Sequence, residues 1–307
     1  MISRVAFIGS KNFGLEILRT VHQIRPDSII AVVTYDDKDD ARSALVGYAE
    51  FCSEINVPLY VAINRHDAEA ALERLQPEFC LVVGWYWFLS QSLLDKMPYG
   101  AVGLHNSLLP KYRGGSPLVW ALINGEEEVG CSLFSFTHEM DAGDVWLQCV
   151  VPLTQEDNIG SAQQKIEKAI CEQLRLQWPN ILDNIAVPIP QNNNDATYCS
   201  QRFADDGEID WSRSSYAIHN LIRAQTPPYP GAFTTLGGRR VILLSAKRFS
   251  YPYYGIPGQV ARIVRGEGVY IICGDSRAII VSNVSIEGRV CAAEDVFISI
   301  KYRLGTQ

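Results

Sequence analysis

The sequence predicts an α/β protein, a doubly wound, mostly parallel sheet followed by a small C-terminal β-barrel. Over the first third, short continuous apolar runs alternate with amphipathic helical stretches, as expected of strands buried on both faces with helices laid across them. A polar, proline-broken stretch, Pro188-Ile189-Pro190-Gln191-Asn192-Asn193-Asn194, then interrupts the pattern. Beyond Pro230, short β-rich runs follow one another between glycines at the spacing of a small barrel.

Taken in order, residues 5–8 form the first strand, ending at Gly9-Ser10, and Leu15, Ile17, Leu18 and Val21 mark the first helix. A strand over 28–34, a helix over 44–55, a short strand over 57–61 and a helix over 67–75 follow, the last with an acidic residue at its start. Residues 79–83 form a buried strand, Leu93-Leu94 belong to a further helix, and the apolar run 99–102 leads into His105. Strands over 131–136 and 145–151 extend the sheet. Between Asn158 and Trp178, the four-residue spacing of Ile166, Ile170, Leu174 and Trp178 predicts one long helix with a buried stripe. After the polar stretch come a helix over 214–224, a stop at Pro227-Pro228-Tyr229-Pro230-Gly231, and strands over 241–245, 258–264, 269–273 and 278–284. The expected division is a first domain over 1–187, a linker over 188–205, and a helix and barrel over 206–307.

At 307 residues the chain can hold two cores, and 47% hydrophobic with 20% charged residues is an ordinary globular balance. The longest apolar run, 80–89, is about half of what a membrane-spanning helix needs, so no membrane insertion is expected. The first residues read as a strand, without the apolar segment and cleavage site of a signal peptide, and a cytoplasmic location is expected. Eight scattered cysteines contain no C-x-x-C pair and read as buried free thiols. Five histidines without ligand spacing imply no metal. Net charge is −7, with ten Lys/Arg against five Asp/Glu from Pro230 onward, so that part is about +5 and the rest about −12. An acidic whole argues against a nucleic-acid partner, and the basic end is the one feature in favour of it.

Three stretches carry chemistry. Gly9-Ser10-Lys11-Asn12-Phe13-Gly14 joins a strand to a helix, where backbone N–H groups can hold an anion, although a plain turn explains the glycines as well. Trp85-Tyr86-Trp87-Phe88 follows a buried strand. Such a turn cannot bury four aromatics on one face, so part of it is expected to wall a pocket for a flat ligand. His105 ends an apolar run and precedes a long rigid loop, 110–117, while Asp141 lies in a Gly-marked turn. A strand-end histidine and a turn carboxylate suit proton transfer at the rim of a sheet.

The block His105-Asn106-Ser107-Leu108-Leu109-Pro110-Lys111-Tyr112-Arg113-Gly114 resembles the signature of the formyltransferases that use 10-formyltetrahydrofolate. So do Asn124-Gly125-Glu126, Met140-Asp141-Ala142-Gly143-Asp144, the run from Asp206 to Trp211, and the run from Ala224 to Phe233. The resemblance implies a Rossmann-like catalytic domain and an OB-like barrel, with His105 and Asp141 as the catalytic pair and no metal. It puts the pterin between Trp85, Tyr86, Trp87 and Phe88 on one side and Thr137, His138 and Met140 on the other. Lys111, Arg113, Gly114, Gly115 and Ser116 would face the acceptor, and Ser10 and Lys11 its phosphates.

The match looks nearest to the branch that formylates nucleotide-linked amino sugars for surface polysaccharides such as lipopolysaccharide. The methionyl-tRNA branch is the alternative, and a catalytically silent folate- or nucleotide-sugar-binding homologue is a third possibility. The acidic Tyr35-Asp36-Asp37-Lys38-Asp39-Asp40 favours the sugar branch over a phosphate-rich tRNA. A homodimer stays open. One position departs from the pattern: the family carries Asn two residues before the histidine, where this chain has Gly103. Three readings remain, namely that protonated His105 with water suffices, that Asn106 substitutes, or that activity is impaired.

Overall fold

β1 (Val5–Gly9) is buried at every residue, as a strand between two helical layers must be. In the computed structural model, which describes residues 1–40 and 42–305, it is followed by α1 (Lys11–Ile24), β2 (Ile29–Tyr35), α2 (Leu45–Glu54), β3 (Leu59–Ala62), α3 (Arg65–Leu75), β4 (Phe79–Val83), α4 (Gln91–Leu94) and β5 (Ala101–His105). Next come the two-residue β6 (Arg113–Gly114), α5 (Pro117–Asn124), β7 (Glu128–Ser135), β8 (Val145–Pro152), α6 (Ile159–Leu182) and β9 (Tyr198–Cys199). The main sheet runs β3-β2-β1-β4-β5-β7-β8. Its first five strands are parallel, and β7 and β8 are antiparallel additions. Both faces of the parallel part are covered. Ile8, Val33 and Val82 pack with Leu72 of α3 and Leu93 of α4, while Phe7 meets Tyr48 of α2 and Phe79 meets Trp178 of α6.

Chain order leaves β1 toward β2 on one side and toward β4 on the other, so the C-terminal ends of β1 and β4 flank the switch point where open α/β sheets bind ligands. The parallel register of β4 with β5 pairs Val83 with Leu104, so the residues just past Val83 stand level with His105.

Several boundaries differ from expectation for local reasons. α3 starts at Arg65 because the Asn64 side chain caps it, accepting from the Asp67 N–H at 3.0 Å, which puts Asp67 inside the first turn. Val57 is held by the end of α2, its N–H donating to the Cys52 carbonyl at 3.0 Å, so β3 begins only at Leu59. Residues 117–124 form a helix that the broken loop before it conceals; Pro117 suits the first position. α6 runs past Trp178 through Pro179 to Leu182.

The chain divides into two compact units: Met1–Pro117, Glu128–Pro152 and Gln164–Cys199 form the first, and Leu118–Glu127, Leu153–Gln163 and Ser200 onward the second. The second contains α7 (Ser215–Ala224), β10 (Ala232–Leu236), β11 (Arg239–Arg248), β12 (Val260–Val264), β13 (Gly268–Ile272), β14 (Ala278–Ile286), β15 (Arg289–Ala292) and α8 (Ala293–Val296). Its sheet is antiparallel, ordered β10-β11-β14-β13-β12 with β15 on β14, and it wraps one core that α7 and α8 enter through Ile218, Ile222 and Ala293. The last described residues bridge the two end strands. Val260 N–H donates to the Tyr302 carbonyl at 3.2 Å, and Gly305 N–H to the Thr235 carbonyl at 3.2 Å. The Asn124-Gly125-Glu126 turn belongs to this unit. A Cβ on Gly125 would overlap the Tyr216 hydroxyl, which donates to the Gly125 carbonyl at 3.2 Å.

Candidate active site

His105 closes β5 and Asp141 lies in the turn between β7 and β8, with a left-handed backbone at φ 52°. The His105 Nδ1 and Asp141 Oδ2 atoms are 3.7 Å apart. His105 Nε2 lies 2.7 Å from the Tyr112 carbonyl. A carbonyl oxygen only accepts, so Nε2 donates there and Nδ1 is left toward the carboxylate. Asp141 Oδ2 also accepts the Gly114 N–H at 2.7 Å, which ties the turn to the loop after the histidine.

Two serines shape that loop. Ser107 donates to the Lys111 carbonyl at 2.7 Å, and Ser132 of β7 donates to the Ser107 carbonyl at 2.7 Å while accepting from the Leu109 N–H at 3.1 Å. The Ser-Leu-Leu-Pro motif is thus a device for presenting the Tyr112 carbonyl to the imidazole. The histidine ring meets Phe134 edge to face at 6.1 Å, and Phe134 lies 5.5 Å from Phe136. A Cβ built on Gly103 would overlap the Phe136 ring, so an aromatic face fills the place of the side chain that Gly103 lacks. Asn106 is half-buried, and its Oδ1 is buried without a hydrogen-bond partner.

The aromatic turn stands level with His105. Trp85 and Trp87 are half-buried and meet edge to face at 5.2 Å, while Tyr86 and Phe88 are exposed. Tyr35, at the end of β2, joins them, 4.8 Å from Trp87 and 5.4 Å from Tyr86. The indole N–H of Trp85 is buried and has no acceptor. Thr137, His138 and Met140 are exposed on the β7–β8 connection.

The glycines of the first turn answer to packing. A Cβ on Gly14 would overlap the Tyr48 hydroxyl, and Ser10 is buried with its hydroxyl donating to the Gly84 carbonyl at 2.5 Å. Lys11 is bound to Asp37 at 2.5 Å and Asp40 at 2.8 Å and lies 5.5 Å from the centre of the Tyr86 ring. Burial opposes its charge, but those carboxylates outweigh the cost and raise its pKa. Hydrogen bonding from Arg42, then from Lys11, holds Asp40 well below the usual carboxylate range. Ser10 and Lys11 are therefore already engaged within the protein.

Of the loop residues, Lys111 is exposed and Gly114, Gly115 and Ser116 are half-buried, whereas Arg113 is 1% exposed. Its guanidinium donates to Gln191, Asn193 and the Tyr198 hydroxyl rather than facing an acceptor molecule. Gln191 and Asn193 lie in a polar run that gives no sequence signal of such a task. Cys199 is adjacent, its thiol directed to the Tyr112 and Arg113 carbonyls. Burial, with the charge of Asp141, pushes this thiol up to about 11, so it stays protonated and is no nucleophile at neutral pH. Among the described residues no group of His, Cys, Asp and Glu has the arrangement of a metal site, and no helix is long and apolar enough to cross a membrane.

Comparison with known proteins bears on the family and the fold. The family model for formyl transferase matches residues 3–174, and that for the formyl transferase C-terminal domain matches residues 203–300. A methionyl-tRNA formyltransferase of Staphylococcus epidermidis is 31% identical over 293 residues, covering 94% of this chain and 93% of the relative. Among solved structures, HypX from Aquifex aeolicus in complex with tetrahydrofolic acid is similar at a TM-score of 0.65 and 19% identity. That match covers 96% of this chain, which spans 46% of HypX. WlaRD, a sugar 3N-formyl transferase solved in the presence of dTDP and 5-N-formyl-THF, is similar at 0.68 and 16% identity over 94% of this chain and 99% of its own.

Proposed function

The chain belongs to the formyl transferase family, and from that premise we propose that it moves the formyl group of 10-formyltetrahydrofolate to the amine of a nucleotide-linked amino sugar. The observation that carries formyl transfer is the His105–Asp141 pair at 3.7 Å, with Nε2 committed to Tyr112 and Nδ1 left for proton exchange. The folate, when bound, supplies a formyl carbon on a nitrogen able to leave. The half-buried Trp85–Trp87 corner, with its unpartnered indole N–H, suits a flat polar ring.

The acceptor amine forms the new C–N bond as the carbonyl electron pair moves onto oxygen. His105 Nδ1 takes the amine proton, and Asp141 steadies the resulting imidazolium. His105 then returns the proton to the departing folate nitrogen as the old C–N bond breaks. Gly103 offers no side chain to the negative oxygen and Phe136 fills its space, so we assign that contact to the NH2 of Asn106, the neighbouring amide, whose Oδ1 is tied to no internal partner. Replacing Asn106 by Ala should lower kcat by about 10²–10³, the usual worth of one such donor; an unchanged kcat removes it from the mechanism.

For the acceptor, the acidic strip 36–40 beside the β1–β4 switch and a Lys11 already paired with two carboxylates favour a ligand with few phosphates. WlaRD, a structural neighbour with a nucleotide in its complex, supports the same class. A second reading, methionyl-tRNA, is favoured by the 31% identical relative and by the basic C-terminal stretch. Tetrahydrofolate release with nucleotide-amino sugars, set beside release with methionyl-tRNA, separates them. Activity on the tRNA alone would overturn the sugar assignment.

A further inference from the structure

We propose that Gln191 is a positioning residue for the His105–Asp141 pair and that the buried Arg113 acts by holding it; the proposal rests on the formyl-transfer reading of that pair. Gln191 Nε2 donates to the Asp141 carbonyl at 2.8 Å and to the Gly143 carbonyl at 2.6 Å. Its Oε1 accepts from Arg113 Nε at 3.1 Å and Nη2 at 2.8 Å. An amide whose oxygen is gripped by a two-pronged guanidinium cannot flip, so its NH2 must face the turn.

The turn needs that grip. Asp141 carries a Cβ in the left-handed region, a conformation that persists only where its surroundings impose it. Gly143 is pressed against the Ser135 carbonyl, which leaves no room for a Cβ. The two bonds from Gln191 fall on either side of Ala142 and pin the carbonyls that fix where the Asp141 carboxylate points. Segment 189–199 is itself anchored at both ends. Ile189 exchanges two 2.8 Å backbone bonds with Val145. β9 pairs with β6, where Arg113 N–H donates to the Thr197 carbonyl at 2.8 Å and Gly115 N–H to that of Cys199 at 3.0 Å. The same segment therefore holds the His105 loop through β9 and the Asp141 turn through Gln191.

Burying a guanidinium among neutral acceptors is costly. Arg113 gains in return a fixed amide rather than an ion pair. Its position in the signature loop is thus explained by Asp141, which it never touches with its side chain.

Gln191→Glu and Gln191→Leu test this. Glutamate keeps the acceptor oxygen that Arg113 grips but puts a second carboxylate oxygen, with no N–H, against the two carbonyls, and leucine removes both functions. The readouts are kcat and KM, together with hydrogen exchange at the Gly114 amide, which the Asp141 carboxylate accepts at 2.7 Å. In both variants the Gly114 amide should exchange at least about tenfold faster while β1 and β4 amides keep their protection. kcat should fall by about 10- to 100-fold with KM for the folate nearly unchanged, the signature of misplacement rather than lost binding. An unchanged Gly114 amide in Gln191→Glu overturns the proposal, as does full kcat with that amide loosened. If the wild-type chain formylates no amine, the functional reading fails and the exchange result alone judges the positioning.

Discussion

Gly103 shows how an absent side chain reshapes a site. The strand pattern places it correctly, opposite Phe134 on β7, yet its consequence lies with Phe136, whose ring occupies the vacated volume. Restoring an asparagine alone should therefore fail: Gly103→Asn overpacks the strand, a change that costs about 1–3 kcal/mol, and kcat should not rise. Combined with Phe136→Ala the amide gains room, and kcat of the double variant should exceed that of Phe136→Ala alone. Steady-state kinetics and thermal melts on the three variants check this; an active, fully stable Gly103→Asn would contradict the packing argument. At this scale the sequence reveals residue type and strand position but not engagement. Ser10 and Lys11 read as anion contacts from their turn, yet one bonds Gly84 and the other answers Asp37 and Asp40, which lie about 26 to 29 positions away in the chain. Arg113 read as an acceptor contact because burial of a charged side chain leaves no local mark.

At the scale of elements, β1 and β4 were legible because strands buried on both faces are continuous apolar runs, and α6 because Ile166, Ile170, Leu174 and Trp178 keep one helical stripe. Antiparallel pairing of β5 with β7 was not, since register depends on the long connection between them. Nor was the work of residues 189–199, whose bonds to 112–115, 141 and 143 are all distant in sequence. In the second unit, α7 carries a buried histidine, His219, that makes its own prediction. Burial, followed by the charges of Arg223 and Arg248, lowers its pKa to about 4 from an ordinary 6.5. A depressed folded-state value means that the unfolded chain binds the extra proton first. The stabilisation is then complete above pH 6.5 and is lost as pH falls toward 4, by about 3 kcal/mol in all. Denaturant melts of wild type and His219→Gln at pH 7 and pH 4.5 check it. Wild type should lose more stability between the two pH values than the variant, and equal losses would refute the assignment.

Over the whole molecule, the charge is divided between an acidic stretch before Pro230, about −12, and a basic one after it, about +5. Composition displays that division directly, whereas the acceptor it selects depends on which cations are free, and Lys11 is not. With a nucleotide sugar as acceptor, kcat/KM should fall less than about tenfold between 50 and 200 mM salt. An acceptor gripped through six to ten phosphates would lose roughly 10³–10⁵ in affinity over the same range. A steep loss would therefore move the assignment to tRNA. The most direct measurement is tetrahydrofolate release from 10-formyltetrahydrofolate by the purified chain with a panel of nucleotide-amino sugars, run beside its His105→Ala variant. Amine-dependent release by the wild type that falls at least about 10²-fold in the variant is the expected result. Equal release by both proteins, or no release with any amine, would contradict it.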